Sequence, residues 1–354
     1  MPIKKIFLYT AAAMLVVPAC SKNHVAAVTI LPPPDTSLQK MMPFHMGAAI
    51  SVSLMQNNTK YNAVVTKEYN SITPENAMKF ASLHTAQNVF NFTDADYLVN
   101  FAQVNNKRVH GHNLIWHQSL PSWVTNFAGD SAAWESLMKT HIQTVVAHFK
   151  GKVSSWDVVN EAFDDNGVLR NSIWLQKLGN DYIARCYQYA HEADTAALLF
   201  YNDYGQEYSS AKRTAIINML TAFKTRGIPI SGIGMQFHTR YNQTDANLAA
   251  AITAAAATGL KVHISELDIA LNPDNIQTLT LTPALAQQQS DKYKSIVKMY
   301  NAIPASQQYG ITTWNVGDAD SWIPVSYNRP DWPLPFDANY LRKPAYYGIL
   351  AGVK

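Results

Sequence analysis

Trp156-Asp157-Val158-Val159-Asn160-Glu161 decides how this chain is read. It is an apolar, β-branched run that ends in a carboxylate, and such runs read as buried parallel strands. A distant counterpart, Val262-His263-Ile264-Ser265-Glu266-Leu267-Asp268, has the same character. A Glu at the last residue of a buried strand sits at the mouth of a sheet, where α/β proteins place their chemistry. One such Glu is usually a helix cap or a surface charge. Two of them, each with polar neighbours, point to the paired carboxylates that glycosidic bond cleavage requires.

Six further strand-like runs surround these two. The eight cover 45–51, 69–76, 108–117, 153–161, 198–205, 232–238, 261–268 and 310–318. Helical spacing or Ala-rich helix propensity fills the segments between them, at 134–149, 180–193, 211–226, 246–258 and 287–300. Most starts are 29 to 49 residues apart, the spacing of one strand and its returning helix. Eight alternating units predict an α/β fold, a (β/α)8 TIM barrel, over a doubly wound open sheet, which periodicity does not exclude.

Almost every run is apolar early and chemically loaded late. The second ends in Glu75-Asn76 with Lys79 beyond, and the third carries His112, Trp116 and His117. The fourth ends in Asn160-Glu161 and the fifth in Asn202-Asp203-Tyr204. The sixth carries Gln236 and His238, the seventh Glu266 and Asp268, and the eighth Trp314. A barrel gathers all these ends on one rim. A single His in such a run is usually a satisfied core group, but seven ends loaded alike are hard to explain by packing.

Roles follow from the neighbours. A His238 that donates to Glu266 would hold it ionised, with Asp268 orienting the ring, which suits Glu266 to be the nucleophile. Glu161 lacks a cationic partner in its own run, which suits the acid. Asn160 and Gln236 are neutral hydrogen-bonders fit for sugar hydroxyls, and Trp116, Trp314 and Trp322 fit the apolar walls of a sugar site. Tyr204 joins them as a substrate-binding candidate at the end of the fifth run. Metal binding is the competing use: His110 and His112, or His112 and His117, could ligate beside the carboxylates, but no matched ligand set accompanies them, and no metal is expected. The glycines form no phosphate-binding fingerprint.

The chain has 354 residues, 47% of them hydrophobic and 15% charged, enough for one large core. A net charge of +3 is too small to suggest a nucleic-acid partner. Lys4 and Lys5 precede an apolar run from Ile6 to Val17, too short to span a bilayer as a mature helix and suited to a signal-peptide core. Ala19-Cys20 then resembles a bacterial lipoprotein cleavage site, with Cys20 as the lipid attachment point. The expected organisation is a signal over 1–19, a Pro-rich tether over 20–43 carrying Pro32-Pro33-Pro34, and one catalytic domain over 44–354. A lipid-anchored monomer in the cell envelope is the expectation, or a secreted protein if the lipid site is unused. Cys186 has no partner and is expected to be a buried, small apolar group.

Several blocks together resemble the glycoside hydrolase family 10 endo-β-1,4-xylanases. They are 71–79, 111–117, 156–161, 234–238, 264–268 and Lys343-Pro344-Ala345-Tyr346. The resemblance covers about residues 38–352. It implies the barrel, cleavage of xylan or xylo-oligosaccharides with retention, Glu161 as acid/base, Glu266 as nucleophile, and no cofactor. It implies Asn76, Lys79, His112, Trp116, Asn160, Gln236 and Trp314 as contacts to the sugar at the cleavage point and its neighbour. Glu75 and Trp322 are implied as contacts to the next sugar on the glycone side, and His238 and Asp268 as the network on the nucleophile. Three positions depart from the family's usual pattern. Asn315 follows Trp314 where Gly is usual, and would add bulk beside a substrate tryptophan. Ser119 stands two residues after His117 where Gln is typical, and Gly205 follows Tyr204 where Asn is frequent. Alternatives are a relative acting on short xylo- or cello-oligosaccharides and a non-catalytic xylan-binding barrel.

Overall fold

The computed structural model describes residues 36–354. Eight parallel strands close a barrel: β1 (Met46–Ile50), β2 (Ser71–Pro74), β3 (Arg108–Ile115), β4 (Ser155–Asn160), β5 (Leu198–Asp203), β6 (Gly232–Met235), β8 (Lys261–Ala270) and β9 (Gln308–Thr313). They pair in sequence order; β9 meets β1, and β6 meets β8 to complete the circle. The short strand β7 (His238–Arg240) pairs with the far end of β8, His238 opposite Asp268. All eight expected runs become barrel strands. The last begins two residues early, at Gln308, because the pairing with β8 starts there.

Helices return the chain after each barrel strand, including Ser131–His148, Tyr182–Ala193, Ser210–Thr225, Asp245–Ala257 and Pro283–Asn301. Four of these starts are fixed by side-chain caps: Asp130, Ser209, Thr244 and Thr282 each accept a backbone N–H three residues on. Pro283 follows Thr282 at the first helical position, where a missing N–H costs nothing. In Tyr182–Ala193, Cys186 is free and buried, its thiol 3.4 Å from the Met138 sulfur.

The base of the barrel is not purely apolar. His110 Nδ1 lies 2.6 Å from Ser155 Oγ, which also bonds the Tyr309 hydroxyl, and His263 Nε2 lies 2.8 Å from Thr312 Oγ1. The Arg108 guanidinium stacks 3.7 Å over the Tyr309 ring and donates to the Tyr309 carbonyl at 2.8 Å. Pairing of this kind is what burying polar groups demands. Above them, Gly111 leaves room for the Trp156 ring, whose Cε3 would lie 2.2 Å from an added Cβ.

The folded body starts earlier than the expected tether boundary at residue 43. Leu38–Met41 is a helix, Leu38 is fully buried, and its N–H donates to Glu68 Oε2 at 2.9 Å. Leu38, Met42 and Phe44 supply the apolar contacts that hold this segment to the barrel. The expected signal over 1–19, Cys20 and the Pro-rich stretch lie outside the described residues.

Candidate active site

One cavity of about 620 Å³ opens at the C-terminal rim of the barrel. Its walls bring together Glu75, Lys79, His112, Trp116, Asn160, Glu161, Tyr204, Gln236, His238, Glu266, Trp314 and Trp322, from seven strand ends. Two expected site residues stand off its surface. Asn76 lines a neighbouring shallow recess and accepts a 2.8 Å hydrogen bond from Lys79 Nζ. Asp268 is fully buried behind His238.

The two carboxylates have different surroundings. Glu266 is buried on β8, and Asn202 donates to its Oε1 at 2.7 Å. His238 Nε2 lies 3.2 Å from Glu266 Oε2, while His238 Nδ1 lies 2.9 Å from Asp268 Oδ2. Burial opposes charge on this imidazole, but Asp268 and Glu266 outweigh it and hold His238 well above its ordinary range. Burial alone would raise Glu266; His238, His112 and Asn202 together bring it below the ordinary carboxylate value. Glu266 and Asp268 reach the same ring because residues i and i+2 of a strand share a face.

Glu161 instead meets neutral donors. The Trp116 indole N–H donates to Oε2 at 3.0 Å, and Gln236 and Asn160 donate to Oε1 at 2.9 and 3.2 Å. The sequence assigned Trp116 to a sugar wall and the two amides to sugar hydroxyls. In the structure all three hold the Glu161 carboxylate. The Glu161 backbone adopts φ +56°, a left-handed conformation uncommon outside glycine. Bonds on both sides fix it: Glu161 N–H to the Asn202 carbonyl at 2.9 Å, Ala162 N–H to the Tyr201 hydroxyl at 3.0 Å, and Arg170 Nε to the Glu161 carbonyl at 3.2 Å.

Several contributors were missed. Asn202 donates to Asn160 Oδ1 at 2.9 Å as well as to Glu266, and Ser265 donates to Asn202 Oδ1 at 2.6 Å. This places one amide between the two carboxylates. Asp157 accepts from His112 at 2.9 Å and lies 3.0 Å from His110 Nε2, and these histidines pull its carboxyl far down against the effect of burial. A lone acid inside an apolar run was the available signal. Among the described residues no group of three or more His, Cys, Asp or Glu side chains is arranged to hold a metal. Arg170 also donates to the Tyr204 hydroxyl at 3.0 Å, and Lys212, 2.8 Å from Asp203, lies 3.3 Å over the Tyr204 ring.

The three departures share one trait: Asn315, Ser119 and Gly205 have φ of +85°, +53° and +73°. Asn315 does not add bulk beside the Trp314 ring. It is 2% exposed and accepts from the Tyr61 hydroxyl at 3.3 Å, away from the cavity lining. Asn tolerates left-handed backbone better than most residues, which allows it to stand where Gly is usual. Gly205 does line the cavity, and an added Cβ there would meet open space.

Comparison with known proteins agrees with this arrangement. Residues 36–352 match the model for glycosyl hydrolase family 10. The chain is 37% identical over 298 residues to endo-1,4-beta-xylanase A of Phanerodontia chrysosporium, covering 84% of this chain and 71% of that one. It is 39% identical over 337 residues to endo-beta-1,4-xylanase Xyn10C of Cellvibrio japonicus, covering 86% of this chain but spanning only 55% of that protein. The fold superposes on xylanase10C from Cellvibrio japonicus in complex with xylopentaose with a TM-score of 0.85 and 36% identity, over 90% of this chain and 69% of that one. With the barrel, the rim and its two carboxylates in place, the chain belongs to glycosyl hydrolase family 10.

Proposed function

We propose that this protein is an endo-1,4-β-xylanase that cleaves internal β-1,4-xylosidic bonds of xylan with retention of configuration. The observation that carries the reading is the unequal setting of two carboxylates on one cavity: Glu266 beside an imidazolium, Glu161 among neutral donors. The relatives named above, all called xylanases, support the substrate.

Glu161, protonated, gives its proton to the leaving glycosidic oxygen as Glu266 attacks the anomeric carbon. The C–O bond to the aglycone breaks and an ester to Glu266 forms. Glu161, now ionised, takes a proton from water, whose oxygen displaces Glu266 from the opposite face, so configuration is retained. Charge favours these roles. His238, anchored by Asp268, stabilises the Glu266 carboxylate before attack and when it leaves. Trp116, Gln236 and Asn160 fix the Glu161 carboxyl where it can meet the leaving oxygen. The Trp314 and Trp322 rings supply apolar faces for sugar rings, with Glu75, Lys79 and Tyr204 on the cavity wall as polar contacts.

Activity on soluble xylan tests the reading. Glu266→Ala should abolish hydrolysis, and azide should restore turnover of an activated xyloside while producing the inverted glycosyl azide. Glu161→Ala should lose about 10²- to 10⁴-fold on xylan and far less on a dinitrophenyl xylobioside, whose leaving group needs no proton. Full xylanase activity in Glu266→Ala would overturn the assignment.

We also propose that the mature enzyme acts as a monomer held at the cell envelope by a lipid on Cys20, which the basic start, the apolar run and Ala19-Cys20 support. Cys20→Ala should move the enzyme from the membrane to the soluble fraction.

A further inference from the structure

A second recess of about 300 Å³ opens beside the catalytic cavity and shares Tyr208, His238, Trp322 and Tyr327 with it. Strand β7 and the far end of β8 form one side. Residues i and i+2 of a strand share a face, so Arg240 stands beside His238. The register sets His238 opposite Asp268 and Arg240 opposite Ala270. His238 therefore meets an acid across the strand pair, at 2.9 Å, whereas the matching place opposite Arg240 holds a side chain with no charge.

Arg240 is exposed, and no carboxylate pairs with it among the described residues. Its guanidinium lies 5.1 Å from the centre of the Tyr208 ring, whose hydroxyl is 3.0 Å from Thr239 Oγ1. Arg329 is a second cation on the wall, its side chain 9% exposed and its guanidinium 4.7 Å from the centre of the Tyr327 ring. The acid beside it, Asp331 at 3.3 Å, also accepts backbone N–H bonds from Leu271 at 2.7 Å, Trp332 at 2.9 Å and Asn272 at 3.3 Å, which spread its charge. Asp268 is fully buried and already bonded to His238 and the Trp322 indole. The recess thus presents positive charge with no exposed acid on its wall to match it. That repels a metal ion, and an unsubstituted xylan chain, which is neutral, leaves it unanswered. A carboxylate answers it, because a guanidinium can hold one through two parallel hydrogen bonds. The volume is at the low end for small-molecule sites and suits one sugar ring rather than a chain.

We propose that this recess binds an acidic branch of the polysaccharide, a single uronic acid carried on the xylan backbone, with its carboxylate on Arg240 and Arg329 behind; this rests on the reading of the enzyme as a xylanase. The shared walls give the branch its route. A chain lying in the catalytic cavity passes His238 and Trp322, and a substituent on it turns past them into the recess. Arg240 is then a specificity-determining residue: it stands apart from the reacting pair and favours chains that carry the acid. The branch arrives on a chain that is already bound, so its effective concentration at the recess is high.

Two xylo-oligosaccharides of equal length test this. One carries a glucuronic acid branch; the other is the same molecule with that carboxyl reduced to a primary alcohol, which keeps the shape and removes the charge. For the wild type, kcat/KM should be about ten-fold higher on the acidic form, the effect of one charge-assisted contact at a half-open site. Arg240→Ala should bring the ratio close to unity, and Arg240→Glu should invert it. Arg240→Lys should keep part of it, since the charge survives and the paired geometry does not. Arg240 is exposed, so these changes do not burden the fold. Calorimetric binding of the same two molecules to Glu266→Ala repeats the comparison without turnover. An enzyme inactive on linear xylan is thereby told apart from a recess that ignores the carboxylate. Free glucuronate should bind Glu266→Ala far more weakly than the branched oligosaccharide does. Equal values for the acidic and reduced forms in the wild type, a ratio unaltered in Arg240→Glu, or free glucuronate binding as tightly as the branched oligosaccharide would overturn the proposal.

Discussion

Asn202 donates to Glu266 Oε1 at 2.7 Å, the shorter of the two hydrogen bonds this carboxylate receives from side chains. The same amide reaches Asn160, and through it Glu161, so one side chain ties together both halves of the catalytic pair. Asn202→Ala removes a charge-assisted bond and frees Ser265 and Asn160. It should lower kcat on xylan by about 10- to 100-fold, equivalent to about 1.4–2.8 kcal/mol of transition-state stabilisation, with a smaller change in KM. Steady-state kinetics on xylotetraose checks this.

His238 keeps the Glu266 carboxyl low against the upward push of burial. His238→Asn leaves burial less opposed, so Glu266 titrates at higher pH and the acidic limb of kcat/KM should move upward. Stability follows the same linkage. A carboxyl with a lowered pKa contributes above its ordinary value of 4.5 and loses that contribution as acid protonates it. An imidazole with a raised pKa contributes fully below its ordinary 6.5 and loses that as pH climbs through the raised value. The Tm deficit of His238→Asn should therefore be largest between those two values and shrink on either side, as calorimetry across pH would show.

Asn315 occupies a left-handed corner with its side chain turned to Tyr61. Asn315→Gly should leave activity on xylotriose within about two-fold, because nothing facing sugar changes. Asn315→Ala should cost about 1–2 kcal/mol of stability, the strain of placing an ordinary side chain in that conformation. Chemical denaturation of the two variants separates these outcomes.

Leu38 lies before the expected domain boundary yet is fully buried. Leu38→Ala should destabilise the protein by about 2–5 kcal/mol, the usual cost of a cavity at a closed site. Removing residues 1–35 should leave Tm nearly unchanged, whereas removing 1–43 should lower it sharply.

The strands were legible because a parallel barrel strand is buried on both faces, and Val158-Val159 and Val262 with Ile264 announce that by composition. The gathering of loaded ends was legible for the same reason. Asn202 was visible at the end of its run, but its role was not, since only the register that places Asn160 opposite Asn202 reveals it. The left-handed turn at Glu161 had no signal, because a Glu gives no hint of positive φ. Asn315 looked like added bulk beside a sugar, yet it sits at a backbone corner turned away from the cavity, as Ser119 and Gly205 also sit at left-handed corners.

Trp322 does more than line the cavity. Its indole N–H donates at 2.8 Å to the same Asp268 oxygen that His238 meets at 2.9 Å. The wall of the cleft and the wiring of the nucleophile therefore share a single atom. A sugar that presses Trp322 aside must also loosen the anchor of the imidazolium. Through that shared oxygen, any displacement of Trp322 would be felt at the imidazole that holds the reactive carboxylate as well as in the wall of the cleft.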